Sequence, residues 1–195
     1  MSDERSPALL IVDVQNDFCA GGALAVGGGD EVVPVLNRLA DRAAAMGWPV
    51  YASRDWHPAD SRHFTAHGGP WPVHCVAGSD GARLHPDLRL PANAMIVTKG
   101  TSRDDDGYSA FEGTVPGRGP LADDLRARGV THLVVGGLAT DYCVRATVLD
   151  ALAHGLSVQV VEDAVRAVDV APGDGQRALD EMRAAGAEVA RSSSI

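Results

Sequence analysis

The sequence predicts an α/β domain built on a parallel sheet, and three observations carry that prediction. Short apolar runs recur along the chain, segments with helical periodicity separate most of them, and polar or glycine residues directly follow several of the runs. Strands that alternate with helices form parallel sheets through right-handed crossover connections. At 195 residues the chain is expected to form one domain, residues 1–195, with a sizeable core.

Six runs are predicted to be strands. Each is short and mostly aliphatic, as is typical of strands buried on both faces of a sheet. They cover residues 8–13, 49–53, 94–98, 132–135, 157–161 and 188–190.

Four segments are predicted to be helices, each with a start or stop signal. The first is capped by Asp30 and ends at Gly47; the second runs from Pro120 to Gly129; the third is capped by Thr140 and ends at Gly155; and the last covers residues 174–185, before Gly186.

Composition argues against several classes of function. The formal net charge of −9, from 26 acidic and 17 basic residues, argues against nucleic acid or an anionic membrane as a partner. No run approaches the ~20 apolar residues of a membrane helix, and residues 1–7 lack the apolar core of a signal peptide. Three widely spaced cysteines do not form a disulfide framework. We therefore expect a cytoplasmic protein; a homo-oligomer is compatible with the sequence, although no apolar stripe points to one.

Polar or reactive residues follow four of the predicted strands. Asp13 ends the first, Asp55 lies just past the second, Lys99 follows the third and the Gly136–Cys143 turn follows the fourth. The carboxyl ends of parallel strands meet at one edge of the sheet, where ligands collect. We therefore expect these positions to converge in space.

A second concentration of chemistry lies in the long region from His57 to Asn93. Together with Asp55, which lies just before this region, His57, His63 and His74 fall within twenty residues, and imidazole and carboxylate are ligands for zinc, iron or manganese. The spacing matches no short metal signature, so scattered polar loop residues are the alternative.

Cys143 is a candidate nucleophile because it falls in the first turn of a predicted helix, where backbone N–H groups favour a thiolate. The N–H groups of Ala139 and Cys143 are candidates for an oxyanion hole. Asp13 is a candidate general base, and Lys99 can hold Asp13 ionised. The alternatives are a buried structural cysteine, a capping aspartate and a surface lysine.

Three of the nine aromatic residues, Phe18, Trp71 and Tyr108, lie near these positions in the sequence. They are candidates for stacking on a flat ring, with core packing as the alternative.

Taken together, the motifs resemble the nicotinamidases, also called pyrazinamidases, of the isochorismatase-like cysteine hydrolases. They are Asp13-Val-Gln-Asn-Asp-Phe18, Asp55-Trp-His57, His63, Trp71-Pro-Val-His74-Cys-Val, Lys99-Gly, Tyr108-Ser-Ala-Phe-Glu-Gly113 and Gly137-Leu-Ala-Thr-Asp-Tyr-Cys143-Val. The resemblance extends from Leu9 to about Val161. It implies a three-layer α/β/α fold with a six-stranded parallel sheet.

The resemblance also implies an activity: hydrolysis of nicotinamide or a similar aromatic amide, which would return the ring toward NAD. It implies a catalytic triad of Asp13, Lys99 and Cys143, with a cis peptide in the Leu138–Ala139 stretch that shapes the oxyanion hole. It implies one divalent metal on Asp55, His57, His63 and His74, and a substrate-binding cleft formed by Phe18, Trp71, Tyr108 and Leu138.

Two features depart from the family pattern. The segment Arg103–Asp106 resembles an acidic insertion before Tyr108, and Tyr142 stands where some relatives carry histidine. The alternative within the superfamily is an amidase acting on carbamoyl or ureido substrates, which would not need the histidines. The sequence also allows a non-catalytic metal-binding module or a thiol redox protein, although no second cysteine lies near Cys143 to resolve a disulfide.

Overall fold

In the computed structural model, which describes residues 6–195, an eight-stranded sheet lies between two helical layers. The strands are β1 (Pro7–Val12), β2 (Val50–Asp55), β3 (Met95–Lys99), β4 (Thr114–Val115), β5 (Gly119–Pro120), β6 (His132–Leu138), β7 (Ser157–Arg166) and β8 (Glu188–Ala190). The helices are α1 (Val32–Ala45), α2 (Leu121–Ala127), α3 (Arg145–Ala153) and α4 (Asp174–Ala184). None of the helices in this range has the length and apolar character of a membrane span. The prediction for the extreme N-terminus falls mainly on residues 1–5, outside the described range.

The prediction of a purely parallel, six-stranded sheet is wrong in one respect. The six predicted strands are present and parallel, in the order β3-β2-β1-β6-β7-β8, but β4 and β5 extend the β3 edge as an antiparallel hairpin. Each added strand has only two residues, too few to show an alternating pattern.

Side chains of the central strands alternate between two cores. In β1, Ala8, Leu10 and Val12 pack in the cluster that contains α2, α3 and α4 residues. Leu9 and Ile11 point the other way, into the cluster with α1 and parts of the long loop. This alternation is the period-two pattern of a strand buried on both faces.

Two helix starts differ from the predictions. Asp30 does not cap α1: its carboxylate accepts the Ala20 N–H at 2.9 Å, and a 3₁₀ turn at Gly29–Glu31 leads into the helix. Thr140 does not cap α3 either, because residues Thr140–Val144 form a π-helical turn and α3 begins at Arg145. Such turns are often found at functional sites.

Gly137, in β6, permits a close approach to β1. Its φ of 127° is disfavoured for other residues, and a Cβ at this position would collide with the backbone of Val12. The two central strands can therefore remain paired up to Val12 and Gly137, where the candidate site begins.

Candidate active site

Four polar side chains meet at the carboxyl edge of the sheet, as the sequence predicts. Asp13 follows β1, Asp55 ends β2, Lys99 ends β3 and Cys143 lies in the π-helical turn after β6. β1 and β6 are adjacent, and the two halves of the sheet extend from them in opposite directions. In open α/β sheets, ligands bind at the carboxyl ends of the strands at such a point. All four side chains are buried.

Lys99 lies at the centre of this group. Its ammonium nitrogen is 2.7 Å from Asp13 Oδ2, donates to an Asp55 oxygen and lies 3.7 Å from Cys143 Sγ. Ser53 Oγ donates to the other Asp13 oxygen at 2.7 Å. Asp13 Oδ2 has the Lys99 ammonium as its charged partner, and an oxygen of Asp13 lies within 4.8 Å of Cys143 Sγ, so this carboxylate is placed to take the thiol proton.

Burial and the neighbouring charges set the protonation of the four groups. Burial alone would lower the pKa of Lys99, but Asp13 and Asp55 outweigh burial and hold that pKa well above its usual range. Burial raises the pKa of Asp13 to about 6, against the lowering effect of Lys99. Burial also raises the pKa of Cys143 well above its ordinary value. The resting group is therefore a thiol with a carboxylate beside it, rather than the thiolate expected at a helix start.

The three predicted metal-binding histidines come together next to this group. The ligand atoms of His57, His63 and His74 all lie within 4.8 Å of one another, and all three residues are buried. Asp55 Oδ2 lies 3.6 Å from His57 Nε2. Asp55 thus faces Lys99 with one oxygen and the histidines with the other, and the four predicted ligands share one place.

The hydrogen bonds of the three rings leave their Nε2 atoms free to bind a metal. Each Nδ1 faces an oxygen that can only accept: Gly100 O at 3.1 Å from His57, Asp106 Oδ1 at 3.2 Å from His63 and Pro72 O at 2.8 Å from His74. Each Nδ1 therefore carries the proton, and each Nε2 presents a lone pair. His57 Nε2 is buried without a hydrogen-bond partner in the described part of the chain. These residues fit a divalent cation.

Two local features support this arrangement. Gly100 has a φ of 65°, and a Cβ there would lie 2.6 Å from His57 Cε1, so glycine allows the carbonyl to reach the ring. Burial lowers the pKa of His74 to about 4 and also lowers that of His63. Both rings are therefore neutral at neutral pH, as metal ligands must be.

A second cluster of possible ligands, Cys19, Asp30 and His85, does not present a free histidine lone pair. His85 Nε2 lies 3.2 Å from Asp30 Oδ1, while its Nδ1 accepts the Asp87 N–H at 3.2 Å. That tautomer places the proton, not a lone pair, toward the cluster. We therefore assign this cluster to hydrogen bonding between loops.

A narrow cleft opens above the buried group. It is lined by Phe18, Leu24, Val26, Asp55, His63, Trp71, His74, Tyr108, Ala139, Tyr142, Cys143 and Val168. Phe18, Trp71 and Tyr108, three of the four residues that the resemblance places at a substrate cleft, line this one. Leu138 does not line the cleft; it is the last residue of β6, fully buried, and its side chain packs in the α1-side core. Leu24, Val26 and Val168 come from loops without periodicity, so the sequence carried no signal for them.

Three aromatic side chains form one wall of the cleft. Trp71 Nε1 donates to Tyr108 Oη at 2.9 Å. The Tyr142 ring meets the Trp71 ring edge-on at 4.8 Å and stacks on Tyr108 at 6.0 Å. Tyr142 is therefore part of the wall.

The turn that carries Cys143 has the expected cis peptide, between Leu138 and Ala139. The carbonyl of Ala139 accepts the N–H groups of Tyr142 and Val144, at 3.1 and 3.0 Å, and so closes the turn. Ala139 and Cys143 both border the cleft, so their N–H groups are candidates for holding an oxyanion.

Gln15 supports the site in a way that sequence reasoning missed. Its side chain is fully buried: Oε1 accepts the Asp55 N–H at 2.8 Å, and Nε2 donates to Asp55 O and Ala82 O, each at 2.9 Å. β1 turns away at Asp13, whose φ is 49°, so the Gln15 amide takes the position of a strand peptide beside β2. The only sequence signal was a polar residue two positions after the strand-end aspartate.

Comparisons with known proteins agree on one family. The Isochorismatase domain model matches residues 7–194. The nicotinamidase of Escherichia coli is 47% identical, covering 92% of each chain, and the nicotinamidase/pyrazinamidase of Mycobacterium tuberculosis is 41% identical, covering 95% of this chain and 99% of its own. The crystal structure of pyrazinamidase of Pyrococcus horikoshii in complex with zinc superposes with a TM-score of 0.88 at 42% identity, covering 95% of this chain and 99% of that chain.

The family match covers nearly the whole described chain, and the similar proteins align over almost their full length. The architecture, the buried lysine between two carboxylates and the cysteine in the turn after β6 all lie inside the matched region. The chain belongs to the isochorismatase family.

Proposed function

We propose that this protein is a metal-dependent amidase that hydrolyses nicotinamide, and also pyrazinamide, to the acid and ammonia through a thioester on Cys143. The observation that carries the proposal is the pairing of two sites in one cleft. A thiol lies beside a carboxylate and a lysine, and three histidine nitrogens with free lone pairs lie next to them. The relatives named above support the choice of substrate.

The cleft can receive a flat ring with an amide group. We propose that the ring lies between Phe18 and Trp71, with the amide carbon toward Cys143. Asp55, His57, His63 and His74 would hold the metal, which would supply a positive charge that binds the ring nitrogen. The histidine donors do not distinguish zinc, iron and manganese.

The acylation step uses Asp13 as the base. Asp13 takes the proton of the Cys143 thiol, and the sulfur forms a bond to the amide carbon. The Ala139 and Cys143 N–H groups hold the resulting oxyanion. When the C–N bond breaks, Asp13 returns the proton to the nitrogen, ammonia leaves and a thioester remains.

Deacylation repeats the proton transfers with water. Asp13 takes a proton from the attacking water while the water oxygen bonds to the thioester carbon. The C–S bond then breaks, Asp13 returns the proton to the sulfur, and the carboxylic acid leaves. Lys99 remains charged throughout, since two carboxylates hold its proton, and its charge stabilises the anionic forms of Asp13 and Cys143.

The test is ammonia release from nicotinamide by purified protein, with metal content measured on the same sample. We expect Cys143→Ala to abolish release while fold and metal content stay unchanged. Cys19→Ala, at another buried free thiol, is the matched control and should remain active. Substantial activity in Cys143→Ala would refute the nucleophile assignment.

A second variant tests the metal. We expect His57→Ala to lose metal and to raise KM strongly, whereas His154→Ala, an exposed ring that stacks on Phe111, should change neither. Unchanged metal content in His57→Ala would overturn the ligand set. A folded, metal-loaded protein that released no ammonia from nicotinamide would instead move the substrate to a carbamoyl or ureido amide.

A further inference from the structure

Hydrogen bonds and ion pairs join the segment of residues 103–106, here called the acidic segment, to the loop that carries His63. The Arg62 N–H donates to Arg103 O at 2.8 Å, and the Arg62 side chain forms an ion pair with Asp104 at 2.8 Å. Arg103 in turn lies 3.4 Å from an Asp60 oxygen. Two loops some forty residues apart in sequence are therefore joined directly before the histidine.

One contact of the acidic segment reaches the histidine cluster itself. Asp106 Oδ1 lies 3.2 Å from His63 Nδ1. The His63 side chain is 4% exposed, whereas that of Asp106 is 69% exposed. His57 and His74 donate from the same ring atom to neutral backbone carbonyls. Of the three rings, His63 is the one whose Nδ1 faces an anionic partner.

A carboxylate behind a metal-binding histidine has known physical effects. It keeps the proton on the near nitrogen, fixes the ring orientation and makes the far nitrogen a stronger donor. We propose that Asp106 is a positioning residue for metal binding, which holds His63 with Nε2 toward His57 and His74 and strengthens it as a ligand. This inference rests on the proposed function only in that the function places a metal on His63.

The neighbouring aspartates do not share this contact. Asp104 pairs with Arg62, and Asp105 Oδ2 accepts the Ser102 N–H at 3.3 Å. Asp105 is exposed, carries the same charge and lies one residue away. Asp105→Asn is therefore a matched control for the loss of one negative charge from the acidic segment.

The experiment measures zinc affinity of the metal-free protein by competition with a chromophoric chelator. We expect Asp106→Ala to weaken zinc binding by about 10- to 100-fold. Asp106→Asn should weaken it less, because its amide oxygen still accepts the Nδ1 proton without the charge. Asp105→Asn should bind zinc like the wild type, and all three metal-free variants should unfold at the wild-type temperature, because the substituted side chains are exposed.

Several outcomes would overturn the inference: wild-type zinc affinity in Asp106→Ala, equal weakening in Asp105→Asn, or a wild-type protein that binds no zinc. Saturating zinc gives a second readout, since activity of Asp106→Ala should recover if the residue acts through the metal, whereas a folding defect would not be rescued. A protein that shows the expected zinc affinities but releases no ammonia from nicotinamide would refute the proposed substrate and leave the role of Asp106 intact.

Discussion

The Gln15 side chain offers a direct test of how Asp55 is held in place. Gln15→Met keeps a similar volume but removes every polar atom of the amide. Three buried backbone groups then lose their partner: the N–H and C=O of Asp55 and the C=O of Ala82. The substitution therefore alters the position of Asp55 without altering the carboxylate itself.

The magnitude follows from those three groups. A buried polar group left without a partner costs about 1–3 kcal/mol. The lower end of that range applies, because water can reach the gap and the backbone can relax. Three such groups then lower the free energy of unfolding by about 3 kcal/mol. A domain with a typical stability of about 5–15 kcal/mol would still fold. Because Asp55 is a proposed metal ligand, zinc affinity should fall together with stability.

The assay is urea unfolding of the metal-free protein, followed by zinc titration of the folded variant. Asn16→Ala is the control, since Asn16 Nδ2 donates to Asp80 O at 2.8 Å in an exposed setting on the same loop. We expect Asn16→Ala to lose about 1 kcal/mol or less and to keep its zinc affinity. If Gln15→Met unfolded within about 0.5 kcal/mol of the wild type, the claim that the amide replaces a strand peptide would be refuted.

Three further predictions follow from the same contacts. Lys99→Met breaks a buried ion pair and should destabilise the metal-free protein by about 3–5 kcal/mol. Because Lys99 lowers the pKa of Asp13, which burial raises to about 6 in the wild type, loss of Lys99 raises that pKa further. The deficit should therefore grow as pH rises above about 6, where the wild-type carboxyl ionises and that of the variant does not; a deficit independent of pH in urea unfolding would contradict this. At α2, Tyr51 Oη and Arg128 Nε donate to the buried Asp124 carboxylate at 2.7 and 2.9 Å. Burial would raise the pKa of Asp124, but these partners lower it below 3.8, so its stabilisation is present above that pH and is lost in acid as pH falls through the lowered value. Asp124→Asn should lower the free energy of unfolding by about 1–3 kcal/mol near neutral pH. Its melting temperature should also fall less than that of the wild type as pH is lowered into the acid range; an equal fall would count against this role for the Asp124 carboxylate. Tyr142→Ala removes an aromatic contact worth about 0.5–1.5 kcal/mol, so KM for nicotinamide should rise by no more than about tenfold with kcat retained; a loss confined to kcat would place Tyr142 in the chemistry instead of the wall.

The sequence was informative where a charged residue ends a buried strand. Asp13, Asp55 and Lys99 each close an apolar run, and parallel pairing brings such ends to one edge whatever the loops do. The same argument fails for side-chain direction at the last strand residue. The resemblance placed Leu138 at the substrate, but strand alternation turns its side chain into the core.

Other features depend on contacts that no local pattern reveals. Asp30 has the composition of a helix cap, but Ala20 and His85 take up its carboxylate. The hydrogen bonds behind the three histidines join segments far apart in sequence, so which ring nitrogen is free becomes visible only in three dimensions. Gln15 was missed for the same reason.

The hairpin of β4 and β5 also bears on how this site can vary. Thr98 in β3 pairs with Thr114 in β4, so the sheet itself fixes both ends of the loop that carries Asp106 and Tyr108. The entropy of closing a loop grows only with the logarithm of its length, and doubling that length costs roughly 0.6 kcal/mol. Residues can therefore be gained or lost between Gly100 and Gly107 at little cost to folding. Changes in this loop can therefore alter the contact of Asp106 with His63 and the position of Tyr108 in the aromatic wall during evolution, while Lys99 and Cys143 keep their positions.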